Sequence, residues 1–237
     1  MTYWTYAQVK AKVEEDLDTT DEIFITDSEL MGYCNEAINM AEAEIHTLYE
    51  DYFFTKANIA LVTGTSSYAL PLDIYANKIR EIVYDDGSGT AYEIKNIKDS
   101  KSKYTNIRYA EVYDLDSDYR YYITNVSAAA GVAVNLVPKS RVTQATYVTI
   151  YYIRNANPIA VVGDKIDVPE FVDFIMAYMR YKCLLKEGHP NAEAEASAVQ
   201  TLMTQMKETL SQMVIDGDLS LPGDFDLYDE FYNNGQY

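Results

Sequence analysis

The chain has 237 residues, of which 48% are hydrophobic and 24% charged, which is typical of a soluble globular protein with one large domain or two small ones. The formal net charge of -18 and the pI near 4.4 argue against a protein that binds nucleic acid unaided, because phosphate binding requires a positive field. The 23 tyrosines suit strand faces and interfaces, since each combines a large apolar ring with a polar tip.

The two cysteines predict the compartment in which the chain is kept. Cys34 and Cys183 both fall within helical patterns and form no CxxC motif, so we expect two buried free thiols in a reducing compartment. The N-terminus lacks a basic region followed by an apolar stretch, and no signal peptide is expected. No apolar run approaches the roughly 20 residues that a membrane helix requires, so no membrane contact is predicted.

Two helices are predicted near the N-terminus, and each begins with a capping box. Thr5 caps the first and Thr26 the second, each with Gln or Glu three residues later. The second helix carries an apolar stripe from Leu30 to Tyr52, and from Asp27 to Phe53 it would extend about 40 Å at 1.5 Å per residue. Because so long a helix requires a packing partner, we expect it to contact the helices near the C-terminus.

The middle of the chain, residues 56–155, changes to the alternating period of β-strands. Seven strands are predicted there: Ile59–Val62, Ser67–Leu70, Ile79–Tyr84, Thr90–Ile94, Tyr119–Asn125, Val132–Val137 and Ala145–Ile153. Turn signals at Thr63-Gly64 and Asp85-Asp86-Gly87 separate neighbouring strands. Several short strands at this spacing favour an antiparallel sandwich or small barrel, inserted between helices from the two chain ends.

Two more helices between Ile166 and Val214 are predicted to form an antiparallel hairpin. Asp167 is the expected N-cap of the first helix, with Glu170 at the capping-box position, and Gly188 is expected to end it. Apolar residues recur at helical spacing in both: Phe171, Phe174, Ile175, Tyr178, Met179 and Leu185, then Val199, Leu202, Met203, Met206, Leu210 and Met213.

Residues 216–237 differ in character from the rest of the chain. They hold six acidic side chains and several aromatic rings, with no lysine or arginine. Charge alone would predict disorder, whereas the aromatic rings favour a segment that orders against a partner; packing on its own domain is the alternative. The predicted fold is α+β: an antiparallel helical bundle of residues 1–55 and 156–215, an inserted antiparallel β domain of residues 56–155, and a C-terminal docking tail of residues 216–237.

The residue pattern favours a structural role over an enzymatic one, and no cofactor is predicted. Both histidines, His46 and His189, occupy helical or helix-turn positions, and no G-x-S-x-G motif occurs. Gly87-Ser88-Gly89 lacks the Lys-Ser/Thr pair of a phosphate loop. Asp114–Asp118 matches the first ligands of a calcium loop, but Tyr119 replaces the required glycine, so no metal site is predicted and cation binding there stays open.

Five short sequence motifs follow one another along most of the chain. In order they are Tyr68-Ala69-Leu70-Pro71-Leu72-Asp73, Lys78-Ile79-Arg80-Glu81-Ile82, Tyr84-Asp85-Asp86-Gly87, Ile166-Asp167-Val168-Pro169-Glu170-Phe171 and Lys186-Glu187-Gly188-His189-Pro190. Together with the order of helices, β insertion and tail, they resemble the head-to-tail adaptor (connector) proteins of short-tailed bacteriophages, the tail-tubular-A-like group. The resemblance implies a structural virion protein rather than an enzyme.

The resemblance also implies how such a protein assembles in the host cytoplasm. It implies a homo-oligomeric ring, usually a dodecamer, that contacts the portal protein and downstream tail or ring proteins at the head–tail junction. DNA would pass through its channel without sequence-specific binding. Portal docking would fall on the tail, at Phe225, Leu227, Tyr228, Phe231 and Tyr232. The helical scaffold and the ring contacts would involve Phe171, Phe174, Tyr178, Met203 and Met206.

Two other functions are compatible with the residues. One is another virion ring or head-completion protein, which would share the architecture and the need for subunit contacts. The other is a carbohydrate-binding or hydrolase module that uses the tyrosine-rich β domain, where paired carboxylates would supply the chemistry.

Overall fold

The computed structural model describes residues 3–18, 25–88, 91–97, 119–127 and 131–219, and these residues form the α+β fold that the sequence predicts. The chain divides into two compact units. The helical unit comprises residues 1–52 and 156–237, and the β unit comprises residues 53–155. The chain therefore leaves the helical unit after its second helix, completes the β unit and returns.

Within the described residues the helical unit contains four α-helices: α1 (Tyr6–Leu17), α2 (Asp27–Leu48), α3 (Val172–Glu187) and α4 (Ala192–Leu219). Helix α3 packs against each of the other three. It is accordingly buried on several faces, by Val172, Phe174, Ile175, Met176, Ala177, Met179, Cys183 and Leu184. Helix α3 is thus the centre of the unit.

The N-terminal ends of α1 and α2 confirm the predicted capping boxes. The Thr5 hydroxyl accepts the N–H of Gln8, while the Gln8 side chain accepts the N–H of Thr5 at 2.9 Å. Thr26 and Glu29 make the same reciprocal pair. Each box satisfies two backbone donors that the first helical turn leaves without a partner.

The predicted end of the second helix at Phe53 is wrong. Helix α2 ends at Leu48, where Tyr49 takes an extended backbone conformation with φ -143° and ψ 75°. A 3-10 turn follows at Glu50–Phe53. Because a 3-10 turn repeats its side chains at nearly the same spacing as an α-helix, the apolar pattern continues across the break.

The predicted capping box from Asp167 to Glu170 is also wrong. Helix α3 follows a 3-10 turn at Pro169–Phe171 and has no side-chain cap. The Asp167 carboxylate instead accepts the N–H of Asn157 at 2.8 Å, and the Glu170 carboxylate accepts the hydroxyl of Tyr52. Both carboxylates therefore bind partners distant in sequence, and neither caps the nearby helix.

The C-terminal end of α3 confirms one prediction and corrects another. Gly188 ends the helix in the left-handed conformation, with φ 67°, as predicted. Leu185 was expected on the apolar face but is 53% exposed, and Cys183 and Leu184 are buried in its place. Cys183 and Cys34 are buried free thiols, as predicted, and burial raises the pKa of each to about 12.

Helix α4 continues five residues beyond the predicted end at Val214, to Leu219. Its face toward the unit is anchored by the buried side chains of Val199, Met206 and Leu210, which belong to the predicted apolar face. None of the helices among the described residues is long and apolar enough to cross a membrane.

The described part of the β unit contains eight strands in two sheets. The strands are β1 (Phe54–Leu61), β2 (Ser67–Ala69), β3 (Ile74–Asp85), β4 (Ala91–Glu93), β5 (Lys95–Asn96), β6 (Arg120–Ser127), β7 (Gly131–Val137) and β8 (Gln144–Arg154). The sheet orders are β1-β8-β3-β4 and β2-β7-β6-β5. The pairing of β5 with β6 is parallel, which corrects the wholly antiparallel prediction. Strand β5 was not predicted, because two residues are too few to show alternation.

The two sheets enclose one hydrophobic core, as in a β-sandwich. Strands β1, β3 and β8 supply Ile59, Leu61, Ile82, Val148, Ile150 and Tyr152. The other sheet supplies Tyr68, Tyr121, Val134 and Leu136 to the same cluster. On β1 and along most of β8 these side chains alternate with more exposed ones, as the period of two predicts, whereas on β7 the intervening Asn135 and the neighbouring Ala133 are buried as well.

Strand β3 contains a backbone irregularity between Ile74 and Ile79. Ile74 pairs with Arg154 and Ile79 with Tyr152, so β3 has more residues across this interval than β8. Within it, Ala76 and Asn77 both have left-handed backbone conformations, with φ 46° and 58°. Asparagine tolerates this region, whereas alanine is strained there by its Cβ atom.

Replacing Ala76 with glycine is expected to raise the free energy of unfolding by about 1 kcal/mol, because glycine removes the clash of the left-handed Cβ atom. Ala69→Gly is the matched control, since Ala69 pairs regularly with Ala133 in β2 and glycine should destabilise the strand there by about 0.5–1 kcal/mol. Urea unfolding of both variants measures the two effects; a loss of stability in Ala76→Gly would contradict the assigned strain.

Candidate interaction surfaces

The loop of residues 156–167, which precedes α3, is held in one conformation by side chains of α2. The Asn35 amide group donates to the carbonyl of Ile159 at 3.0 Å and accepts the N–H of the same residue at 2.8 Å. Glu42 accepts the N–H of Ala156 at 2.8 Å. These bonds satisfy backbone groups that an ordinary surface loop leaves to water. The loop is thus anchored to α2 by side-chain hydrogen bonds.

A tight turn within this loop presents two valines to solvent. The Asp164 carboxylate accepts the N–H groups of Ala160 at 2.7 Å and Val161 at 2.8 Å, and these bonds lower the pKa of Asp164. The turn holds Val161 60% exposed and Val162 54% exposed. More than half of each valine is therefore left exposed by the helical unit.

The N-terminal segment lies along the same loop and adds two exposed aromatic rings. The N–H of Ala7 donates to the carbonyl of Val162 at 3.1 Å, just after exposed Tyr3 and Trp4. We call these four exposed residues, Tyr3 and Trp4 on the N-terminal segment and Val161 and Val162 on the loop that pairs with it, the apolar patch. Exposed apolar side chains on one part of a surface are candidates for contact with another protein.

The surroundings of the apolar patch are polar. The Lys165 ammonium lies over the Tyr3 ring, 5.6 Å from its centroid. A depression of about 530 Å³ beside the rings is lined in part by Tyr3, Pro158 and Lys165. An apolar centre with a polar margin is the usual composition of a protein interface.

The β unit presents a second exposed apolar group, at the turn Pro71–Asp73, which we call the Leu72 turn. Leu72 is 95% exposed. The turn is fixed on its C-terminal side, because Asp73 accepts the hydroxyl of Tyr152 at 3.0 Å and its carbonyl accepts the N–H of Asn155 at 2.6 Å. Burial and Asp73 raise the pKa of Tyr152 to about 12, so the hydroxyl remains a donor at neutral pH.

A group of tyrosines occupies another part of the β unit. The ring of Tyr84 packs against Tyr92, Tyr119 and Tyr147, with centroid distances of 5.1, 5.5 and 5.9 Å. The four rings lie against the sandwich core and are partly buried. Because these rings contact one another, they stabilise the sheet rather than form an open sugar-binding platform.

The two units differ sharply in charge. The helical unit contains 27 acidic and 7 basic side chains, for a net charge of -20, whereas the β unit contains 10 acidic and 12 basic side chains, for a net charge of +2. The whole acidity of the chain therefore belongs to the helical unit. Such charge segregation acts on partners and ligands over distances of about a Debye length.

Cations of α3 are held in ion pairs with neighbouring helices. Arg180 contacts Asp16 of α1 at 2.8 Å and Glu195 of α4 at 3.2 Å. Two further pairs join α3 to α2, namely Lys182–Glu36 at 2.9 Å and Lys186–Glu29 at 2.7 Å. Because these cations are paired within the unit, its outward field is dominated by carboxylates.

The ion pair between Lys186 and Glu29 predicts a pH dependence. The Lys186 ammonium and the capping bonds of Thr26 lower the pKa of Glu29 to about 2 from its ordinary 4.5. Its contribution to stability is therefore fully present above about pH 4.5 and is lost as the pH falls toward 2. We expect Glu29→Gln to flatten the acid side of the stability curve relative to that of the unsubstituted chain. Urea unfolding at several pH values measures both; equal curves would contradict the prediction.

The scaffold residues predicted from the sequence lie at different depths. Phe171, Phe174 and Met206 are buried within the helical unit, whereas Tyr178 and Met203 are only partly buried. The hydroxyl of Tyr178 donates to Glu36 at 3.1 Å, which ties α3 to α2. The three buried side chains hold the helices together from within, and the other two retain exposed surface.

Other predicted residues lie outside the described part of the chain, namely the tail residues Phe225, Leu227, Tyr228, Phe231 and Tyr232 and the acidic run Asp114–Asp118. Among the described residues, no group of three or more His, Cys, Asp or Glu side chains is arranged to hold a metal ion. Sequence reasoning did not identify the apolar patch or the exposure of Leu72. The position of Leu72 between Pro71 and Asp73, two residues common in turns, is the one sequence signal of its exposure.

The sequence model of the SU10 adaptor protein family matches residues 4–223. The matched range includes the whole β unit, the helical unit up to residue 223, the apolar patch except Tyr3, and the Leu72 turn, whereas Phe225, Leu227, Tyr228, Phe231 and Tyr232 lie beyond it. A search of curated proteins finds no match.

Proposed function

Because the chain belongs to the SU10 adaptor protein family, a family of structural phage proteins of the head–tail junction and not of enzymes, we propose that its copies form a closed ring between the portal protein and the tail. The family match over residues 4–223 is the observation that carries this proposal. In detail, the ring is a dodecamer of the short-tailed phage connector type, assembled in the host cytoplasm. It binds the portal on one side and downstream tail or ring proteins on the other.

The charge of the helical unit supports a passive role toward DNA. A net charge of -20 repels phosphate groups, so a channel formed by such units would not retain the genome as it passes. At physiological ionic strength this repulsion acts over about 8 Å, which is sufficient within a channel that encloses the duplex. The proposal therefore includes DNA passage but no sequence-specific binding.

We assign portal docking to residues 220–237, which follow α4 directly. This segment carries Phe225, Leu227, Tyr228, Phe231 and Tyr232 among acidic residues. Aromatic side chains supply the largest contact area at the centres of protein interfaces, and surrounding charges favour solubility before assembly.

The helical unit is the scaffold of the proposed ring. Phe171, Phe174 and Met206 contribute from within, because their side chains are buried in the isolated chain. Tyr178 and Met203 keep exposed surface and are available to a neighbouring copy. This division assigns stability to the first three residues and ring contact to the other two.

Native mass spectrometry of the purified chain, alone and mixed with its portal protein, tests the proposal. The expected result is a complex in which a ring of copies is bound to the portal. A chain that remains monomeric under both conditions would contradict the ring. A ring that forms but does not bind the portal would indicate another virion ring protein instead.

A further inference from the structure

A closed ring of identical copies requires a head-to-tail interface, in which two different surfaces of the chain meet repeatedly. Among the described residues, the apolar patch lies on the helical unit and the Leu72 turn on the β unit, so the two are different surfaces. We propose that the Leu72 turn of one copy docks on the apolar patch of the next copy. This inference rests on the ring proposed above and specifies the surfaces that form it.

Both surfaces are preorganised. Asp73 accepts two hydrogen bonds that fix the Leu72 turn. The Asp164 carboxylate accepts two that fix the turn carrying Val161 and Val162. A rigid apolar group loses little conformational entropy on binding, so more of its burial energy is available for association. The structure therefore restrains these side chains in positions where more than half of each is exposed.

The backbone beside the Leu72 turn provides independent support. Ala76 and Asn77, a few residues after Leu72, both have left-handed conformations, and alanine is strained there. Strained backbone persists where the surrounding structure requires it, and it is concentrated at functional surfaces. The interval between Ile74 and Ile79 also departs from the pairing with β8, so the strand is not continued regularly here.

The difference in charge determines which surfaces pair. The apolar patch belongs to a unit with a net charge of -20, so contact between two patches would bring two strongly acidic units together. The Leu72 turn belongs to a unit with a net charge of +2, and Lys78 and Arg80 follow it in the same strand. Patch-to-turn contact thus places opposite net charges together, which favours this pairing over the symmetric one.

The proposed pairing also has the symmetry that a ring requires. Patch-to-patch contact is isologous and stops at a dimer, whereas patch-to-turn contact leaves one free turn and one free patch on every growing assembly. Addition of copies then continues until the rotation closes. The turn and the patch therefore supply a head-to-tail contact that acts beside the one assigned to Tyr178 and Met203.

Two variants test the pairing, each with a matched control. Leu72→Asp replaces the apolar side chain of the turn with a carboxylate. Val161→Asp combined with Val162→Asp does the same to the two valines of the patch. The controls are Val62→Asp in the β unit and Leu185→Asp on α3, which introduce the same charge outside the turn and the patch. Val62 is 49% exposed and Leu185 is 53% exposed. All the replaced side chains are exposed, so circular dichroism should show an unchanged fold, which keeps the assembly result interpretable.

Native mass spectrometry with the portal protein measures assembly of each variant. We expect the Leu72 and the double-valine variants each to require at least about tenfold higher concentration than wild type to assemble, because burying an unpaired carboxylate costs more than 1.4 kcal/mol. We expect both controls to assemble as wild type does. An equimolar mixture of the two disrupted variants should form heterodimers, because one intact turn then meets one intact patch.

The outcomes separate this inference from the proposed function. If Leu72→Asp or the double-valine variant assembles like wild type, the pairing is overturned while the ring stands. If the mixture forms no heterodimers, the turn and the patch do not bind each other, and the pairing is again overturned. If wild type itself does not assemble with the portal, the proposed function fails before the pairing is tested.

Discussion

Removing residues 220–237 is expected to abolish binding to the portal protein while leaving both units folded. The described core of each unit lies wholly outside this segment, so circular dichroism and the thermal midpoint should match those of the full chain. The segment contains the aromatic residues to which portal docking is assigned, and loss of such central anchors typically removes most of the binding energy. Surface plasmon resonance against immobilised portal measures the effect.

A matched variant distinguishes aromatic anchoring from charge. Replacing Phe225, Leu227, Tyr228, Phe231 and Tyr232 with serine keeps all six acidic side chains of residues 216–237. If the aromatic residues are the anchors, this variant should lose binding as completely as the truncation. Portal affinity that is unchanged in the truncated chain would refute the assignment of docking to the tail.

Replacing Phe174 with alanine is expected to lower the free energy of unfolding of the helical unit by about 3–5 kcal/mol. Its side chain is buried on α3, the helix that contacts the other three, so the cavity cannot be filled without displacing several elements. Leu185→Ala is the control on the same helix. Because Leu185 is 53% exposed, its replacement should change stability by less than about 0.5 kcal/mol.

Urea unfolding followed by circular dichroism measures both variants, since the signal of the helices reports on the helical unit. A small effect at Phe174 together with a large one at Leu185 would mean that α3 has the opposite orientation to the one described. The comparison therefore tests the packing of the central helix, not only its presence.

Interactions within a few residues could be predicted from the sequence, and those between distant residues could not. The caps at Thr5 and Thr26 and the stop at Gly188 depend on residues no more than four positions away. The cap predicted at Asp167 failed because its carboxylate binds Asn157, ten residues earlier. Similarly, Glu170 binds Tyr52, which is 118 residues away in the chain.

Helical periodicity predicted which helices are amphipathic but not the boundary of the buried face. Helix α3 is enclosed by three others, so its buried face is wider than a single stripe. A pattern of one residue in three or four then has several equally good phases, and the choice of Leu185 over Leu184 was wrong. The same period continued from α2 into the 3-10 turn at Glu50–Phe53 and concealed the helix end.

The candidate surfaces were the least predictable part, because composition does not reveal exposure. Valines at 161 and 162 and a leucine at 72 would ordinarily be assigned to a core. Only the hydrogen bonds of Asp164 and Asp73 show that these side chains are held toward solvent. The charge difference between the units was present in the sequence, but it becomes visible only when the unit boundaries are known.

Cryo-electron microscopy of the purified chain reconstituted with its portal protein tests the ring most directly. The expected image is a closed ring of copies, twelve in number, seated on the portal with an open central channel. The contacts between neighbouring copies should place the Leu72 turn of one against Tyr3, Trp4, Val161 and Val162 of the next. Portal particles that carry no ring, or only isolated copies of the chain, would contradict the central claim.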